Sequence, residues 1–282
     1  MRAHDTKRAR ALATLVVAMV FLASACSGGT RPSIEGEIEA LPGGVPESTA
    51  PSTTSTTVER IDLDPTPTTS TTVAASEVPE VTFAAAVPDG VPEITIHESP
   101  GGPEQRRMEN PNLNGAPRVF MVKSQEGGWV EVYLPVRPNG TTGWVRADDV
   151  LLQTVRHRVE VRLSDHELIL YEGGGVKQVY PIGVGRVDRP TPGGVYYIQE
   201  LLAPPDPAGP YGPYAYGLSA FTEVPALRNF AGGEGIIGIH GTSDRASIGT
   251  QASSGCIRLY NEDITDIKDN GLPLGTPVDI VA

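Results

Sequence analysis

Cysteine is nearly absent from this chain: its 282 residues contain two, Cys26 and Cys256. At most one disulfide is therefore available. Basic charge is in deficit as well, with 22 Lys and Arg against 34 Asp and Glu and a net charge of -12. That balance excludes nucleic acid bound through phosphate contacts. The apolar run Ala11–Leu22 is too short to cross a bilayer. Large apolar residues are scarce between positions 27 and 80. What is present is 39 % apolar residues, enough for a core, with 32 Gly and 26 Pro that divide the chain into many turns. Its length allows one or two domains.

The N-terminus carries Arg2, Lys7, Arg8 and Arg10 ahead of the Ala11–Leu22 run, and small residues follow it. This is the layout of an export signal. "ASAC", Ala23 to Cys26, resembles a bacterial lipobox, with Leu22 one position earlier than usual. The resemblance implies a signal peptide over 1–25 and a diacylglycerol on Cys26. The protein is then exported and held by its lipid to the outer face of the plasma membrane, facing the cell wall. With Cys26 so used, Cys256 has no disulfide partner. An unpaired thiol in an exported protein is either a reactive group or a small buried apolar one.

Residues 26–82 read as a disordered tether rich in Ser, Thr and Pro. "TTSTTV" occurs twice, and Arg31 to Glu80 holds nine acidic and two basic residues, a net of -7. Such a segment cannot bury enough surface to offset its ordering entropy. Residues 83–153 change to short strands between turns. Ile94 and Ile96 alternate, as do Val130, Val132 and Leu134. Five strands in about 65 residues suit a small β-barrel. The repeated "GWV" at Gly128–Val130 and Gly143–Val145 resembles bacterial SH3-like domains. Trp129 and Trp144 are read as filling its core, with cell-wall peptide binding as the alternative.

Residues 154–282 form a second β-rich domain. Val159, Val161 and Leu163 alternate, as do Leu168 and Leu170, on either side of turns. "GVGRVD" is read as a turn. Leu201 to Phe230 has no clean period and is expected to be a functional or mobile loop, with Pro210 to Phe221 as part of a lid. "GIIGIHG" is a short buried strand, the chain turns helical after Asn261, and "TPVDIVA" closes the domain.

His240, at the end of Ile236–Ile239, is the one histidine of the last hundred residues, and Cys256 follows sixteen positions on. A cysteine nucleophile needs a base or cation, donors for an oxyanion, and access. His240 fits the base. The amides of Gly255 and Cys256 fit the donors. Arg258, on the same face as Cys256 in an extended segment, fits a carboxylate clamp or a thiolate stabiliser. One histidine and one cysteine do not make a zinc site, and no cofactor is implied.

"IGIHGT" and "SSGCIRL" together resemble the signature of the L,D-transpeptidase catalytic (YkuD-type) family. The match falls on His240, Gly241, Ser253, Gly255, Cys256 and Arg258. "TPGG" at Thr191–Gly194 and the closing "GTPVDIV" are also similar, and the resemblance spans about 155–282. Ser254 stands where many relatives have histidine. The family implies a mainly β, sandwich-like catalytic domain with a short helix after the cysteine, here preceded by the SH3-like barrel. It implies peptidoglycan stem tetrapeptides as partners and carbapenem-type β-lactams as acylating inhibitors. Cys256 would be the nucleophile, His240 the base or imidazolium partner, and the Gly241 carbonyl the group that orients His240. Ser253, Ser254, Gly255 and Arg258 would shape or bind the substrate. The expected reaction is formation of 3→3 cross-links. L,D-carboxypeptidase activity and a non-catalytic wall-binding lipoprotein are the alternatives.

Overall fold

The computed structural model describes residues 81–229 and 234–282. The signal segment, Cys26 and all but the end of the tether lie outside the described residues.

Seven strands come first: β1 (Thr82–Ala86), β2 (Glu93–His97), β3 (Glu104–Glu109), β4 (Val119–Glu126), β5 (Trp129–Tyr133), β6 (Thr142–Arg146) and β7 (Leu151–Val155). They form one sheet in the order β3-β2-β6-β5-β4-β1-β7. Val130 and Val132 are fully buried, and the intervening residues of β5 are half-buried. This is the alternation of a strand with one covered face. The sequence reading expected five strands. β1 is alanine-rich and β3 (EQRRME) has Met108 as its single apolar residue, so neither shows large apolar residues at period two. Their ladder partners hold them: β4 and β7 for β1, and β2 for β3. The tryptophans do not fill the core, which is built from Ile96, Phe120, Val130, Val132 and Val145. Trp129 meets His97 edge-on at 4.9 Å, and Arg146 lies over its ring at 5.6 Å.

The remaining strands are β8 (His157–Arg162), β9 (Glu167–Glu172), β10 (Gly175–Pro181), β11 (Val184–Gly185), β12 (Gly194–Leu202), β13 (Ala215–Phe221), β14 (Ile236–His240), β15 (Gln251–Ser253), β16 (Ile257–Arg258) and β17 (Pro277–Val281). Helix α1 (Asn261–Asp269) lies between β16 and β17. Eight of these strands make a sheet in the order β10-β9-β8-β17-β12-β13-β14-β16, and β11 pairs with β15 separately. The chain is mainly β with one α-helix among the described residues. The closing strand is inserted centrally. β17 runs parallel to β8, with Val278 beside Val159 and Ile280 beside Val161, and antiparallel to β12. α1 buries Ile264 and Ile267 in the same core.

β13 corrects the expected long loop. Every residue from Tyr216 to Phe221 is buried, so the strand shows no polar alternation from which it could be recognised. Leu201 and Leu202 belong to β12 and Ala215–Phe221 to β13, so the irregular stretch is divided into residues 203–214 and the residues after Phe221, and the lid assignment shrinks to its part before Ala215.

The two sheets share buried contacts. Tyr197 of β12 is fully buried in the core of the first sheet. Glu200 of β12 is 3 % exposed and accepts hydrogen bonds from the amides of Asn112 and Asn114. Asn139 bonds the backbone of Phe221 in both directions, at 2.8 and 2.9 Å.

Candidate active site

β14 ends at His240, and its Ile237 and Ile239 are buried in the core. β16 pairs with it in parallel, placing Ile239 beside Ile257 and His240 beside Arg258. Partners on adjacent strands point to one face of a sheet. The isoleucines thus enter the core, and His240 and Arg258 share the opposite face. Two-residue periodicity puts Cys256 on that face too, and a backbone hydrogen bond from Gly238 reaches its thiol. Residues sixteen positions apart in the chain are brought together by two short strands.

His240 is buried, with Nδ1 2.5 Å from the Gly241 carbonyl oxygen. A carbonyl only accepts, so Nδ1 carries the proton and donates it. Nε2 is left with its lone pair, the form a base needs. Burial lowers the His240 pKa to about 4; the Gly241 bond opposes this and the charge of Arg258 adds to it. Burial raises the Cys256 pKa, while the Gly238 bond and Arg258 pull it down. Both shifts favour the uncharged forms, a thiol and a neutral imidazole, over an ion pair. Arg258 itself faces Asp244 at 3.6 Å, and its buried Nε has no hydrogen-bond partner.

The cysteine sits on a braced turn. Ser253 Oγ donates to the Cys256 carbonyl at 2.6 Å and accepts from the Gly255 amide at 3.1 Å. Gly255 has φ +119°, a conformation that a side chain disfavours. Thr191 Oγ1 accepts from the Gly185 amide and donates to the Gly255 carbonyl, both at 2.9 Å. Two sequence-based expectations change here. The Gly255 amide is committed to Ser253 and does not serve an oxyanion, so the Cys256 amide remains as the backbone donor. Ser253 is 1 % exposed and its hydroxyl is used on both sides, so it builds the turn and does not face substrate. Ser254 Oγ accepts from Arg189 at 3.2 Å.

Cys256, His240, Gly241, Gly255 and Arg258 all converge at this place. Two further residues were not singled out from the sequence. Thr191 lies in "TPGG", which the sequence marks only as a further point of similarity to the family. Tyr211 sets its ring 5.0 Å from that of His240, edge to face. It belongs to the tyrosine-rich stretch, and the amide of Gly241 donates to the Tyr214 carbonyl of the same stretch at 3.3 Å.

The model of the YkuD family, described as the L,D-transpeptidase catalytic domain, matches residues 156–280. A Bacillus licheniformis protein named as an L,D-transpeptidase is 35 % identical over 127 residues, which is 45 % of this chain and 67 % of that protein. Its Bacillus subtilis namesake is 34 % identical over 127 residues, with the same shares covered. A solved L,D-transpeptidase from Mycobacterium tuberculosis is 16 % identical, covers 59 % of this chain and 91 % of its own, and has a TM-score of 0.39.

Proposed function

Because the chain belongs to the L,D-transpeptidase catalytic-domain family, we propose that it joins peptidoglycan stems in 3→3 cross-links through an acyl-enzyme on Cys256. The observation that supports this reading is the register of β14 and β16, which pairs His240 with Arg258 and brings Cys256 against Gly238, two residues before His240 on the same strand.

The donor is a tetrapeptide stem. Cys256 Sγ attacks the carbonyl carbon of its third residue, and the thiol proton passes to His240 Nε2. A neutral base meeting a protonated thiol is what the two pKa shifts favour, so the transfer accompanies attack. The oxyanion receives the Cys256 amide. Collapse breaks the bond to the terminal D-alanine, whose amine takes the proton from His240. A thioester remains. The side-chain amine of a neighbouring stem attacks it, gives its proton through His240 to the departing sulfur, and restores the thiol. The Gly241 carbonyl keeps the imidazole oriented throughout and stabilises its protonated form. The lipobox-like "ASAC" supports placement at the outer face of the membrane, where such stems are reached.

Intact-mass spectrometry tests the covalent step. With a tetrapeptide donor and no acceptor, the protein is expected to gain the donor mass less D-alanine, at Cys256. No adduct at any time, with the donor consumed, would remove the acyl-enzyme from the scheme.

A further inference from the structure

The stretch "GVGRVDRPT" belongs to no part of the chemistry above except through Thr191. In the fold it is laced to the turn that carries the nucleophile. The Arg186 amide donates to the Ser253 carbonyl at 3.1 Å, and Gly185 pairs with Ser253 in the β11–β15 bridge. Thr191 bridges Gly185 and Gly255, and Arg189 Nη1 donates to Ser254 Oγ at 3.2 Å. The backbone turns back between Arg186 and Arg189, joined by a 2.9 Å bond. Gly185 is required there, since a methyl group would strike the backbone of Arg189 and Thr191. Residues 185–191 are thus a fixed loop that delivers one guanidinium beside Ser254, two residues before Cys256.

That charge is only partly neutralised. Asp188 lies 3.6 Å from Arg189 Nε, beyond hydrogen-bond reach, and stands 3.2 Å from Arg186. Asp188 is also 68 % exposed, so its field is screened. Arg189 is 36 % exposed and spends one of its N–H groups on Ser254. The charge that acts on the thiol comes from Arg258. Arg189 therefore has donors and a positive charge, held beside a residue two positions before Cys256, that the nucleophile does not use.

We infer that Arg189, held by Ser254, is a carboxylate-binding, specificity-determining residue for the donor stem. The inference rests on the transpeptidase reading. A tetrapeptide donor offers carboxylates on both sides of the scissile bond: the side-chain carboxylate of its third residue and the terminal carboxylate of the D-alanine. A guanidinium fork is suited to hold either one in two parallel hydrogen bonds.

The test is steady-state kinetics on three synthetic donors: one with both carboxylates free, one amidated on the third residue's side chain, and one amidated at its C-terminus. Arg189→Gln keeps an amide donor for Ser254 and removes the charge. It is expected to raise KM about tenfold on the donor with both carboxylates, with kcat nearly unchanged. The penalty is expected to vanish on one amidated donor, which thereby identifies the carboxylate. Arg189→Lys, which keeps charge but not the fork, should fall between the two. An equal KM change on all three donors, or no change on any, would overturn the assignment. A wild-type enzyme that turns over none of the three would instead overturn the transpeptidase reading.

Discussion

The imidazole of His240 is tied to the carbonyl of its own chain neighbour, Gly241, at 2.5 Å. Among the described residues no carboxylate or amide side chain takes that role, so the orienting group is part of the backbone that ends β14. A backbone carbonyl is neutral, and it leaves burial as the dominant influence on the ring. Burial thus favours a weak base and a protonated thiol, which sets the first expectation.

The protein should show no thiolate at neutral pH. His240 is lowered to about 4 and so is neutral there, and Cys256 is raised and so is protonated. The ultraviolet thiolate band, taken as the difference between wild type and Cys256→Ser, should appear only on alkaline titration. Iodoacetamide alkylation should accelerate over the same range. A full band at neutral pH would mean a preformed ion pair.

Tyr211 is one wall of the burial that holds His240 down. Tyr211→Ala admits water to the ring and relieves the largest cause of the shift. The imidazole pKa should rise from about 4 toward 6.5, and the acid limb of kcat/KM should move up with it. Tyr211→Phe keeps the ring and should keep the limb. An unmoved limb in Tyr211→Ala would show that other groups shield His240.

Ser253→Ala strips two hydrogen bonds from the cysteine turn, leaving the Gly255 amide buried and unpaired. A cost of about 1–3 kcal/mol in unfolding free energy is expected. Displacement of Cys256 should lower kcat by about 100-fold. Chemical denaturation and initial rates measure the two. A variant with normal stability and a raised KM alone would return Ser253 to substrate binding.

Glu200→Ala leaves the amides of Asn112 and Asn114 without their shared acceptor between the two sheets. It should cost about 1–3 kcal/mol. Because Tyr197 and Glu200 both join the sheets, the described residues are expected to unfold in a single transition by circular dichroism and by tryptophan fluorescence, whose reporters Trp129 and Trp144 lie only in the first sheet. Two separated transitions, with Glu200→Ala silent, would mean that the sheets are independent.

The reactive pair was legible in the sequence because its signal is local: a histidine closing an apolar strand, and a cysteine between glycine and an arginine. Alternation at Val130 and Val132, and at Val159 and Val161, exposed the half-buried strands for the same reason. Their arrangement was not legible. The β14–β16 pairing is a tertiary event, and nothing in "IGIHGT" states its register with "CIRL". β13 is buried from Tyr216 to Phe221 and β3 has one apolar residue, Met108, so period two is invisible in each. The competition for the Gly255 amide could not be foreseen either, since Ser253 becomes its acceptor only once the turn is folded. Thr191 is joined to Gly255 across sixty-four positions, a distance over which sequence spacing carries no information.

The most direct measurement is the product. Purified tetrapeptide muropeptides are incubated with wild type and with Cys256→Ala, and the dimers are sequenced by mass spectrometry. Wild type is expected to form dimers joined between third residues and to release D-alanine, and Cys256→Ala is expected to form none. Wild-type release of D-alanine without dimers would make the enzyme a carboxypeptidase. Dimers formed by Cys256→Ala at the wild-type rate would contradict the cysteine mechanism outright.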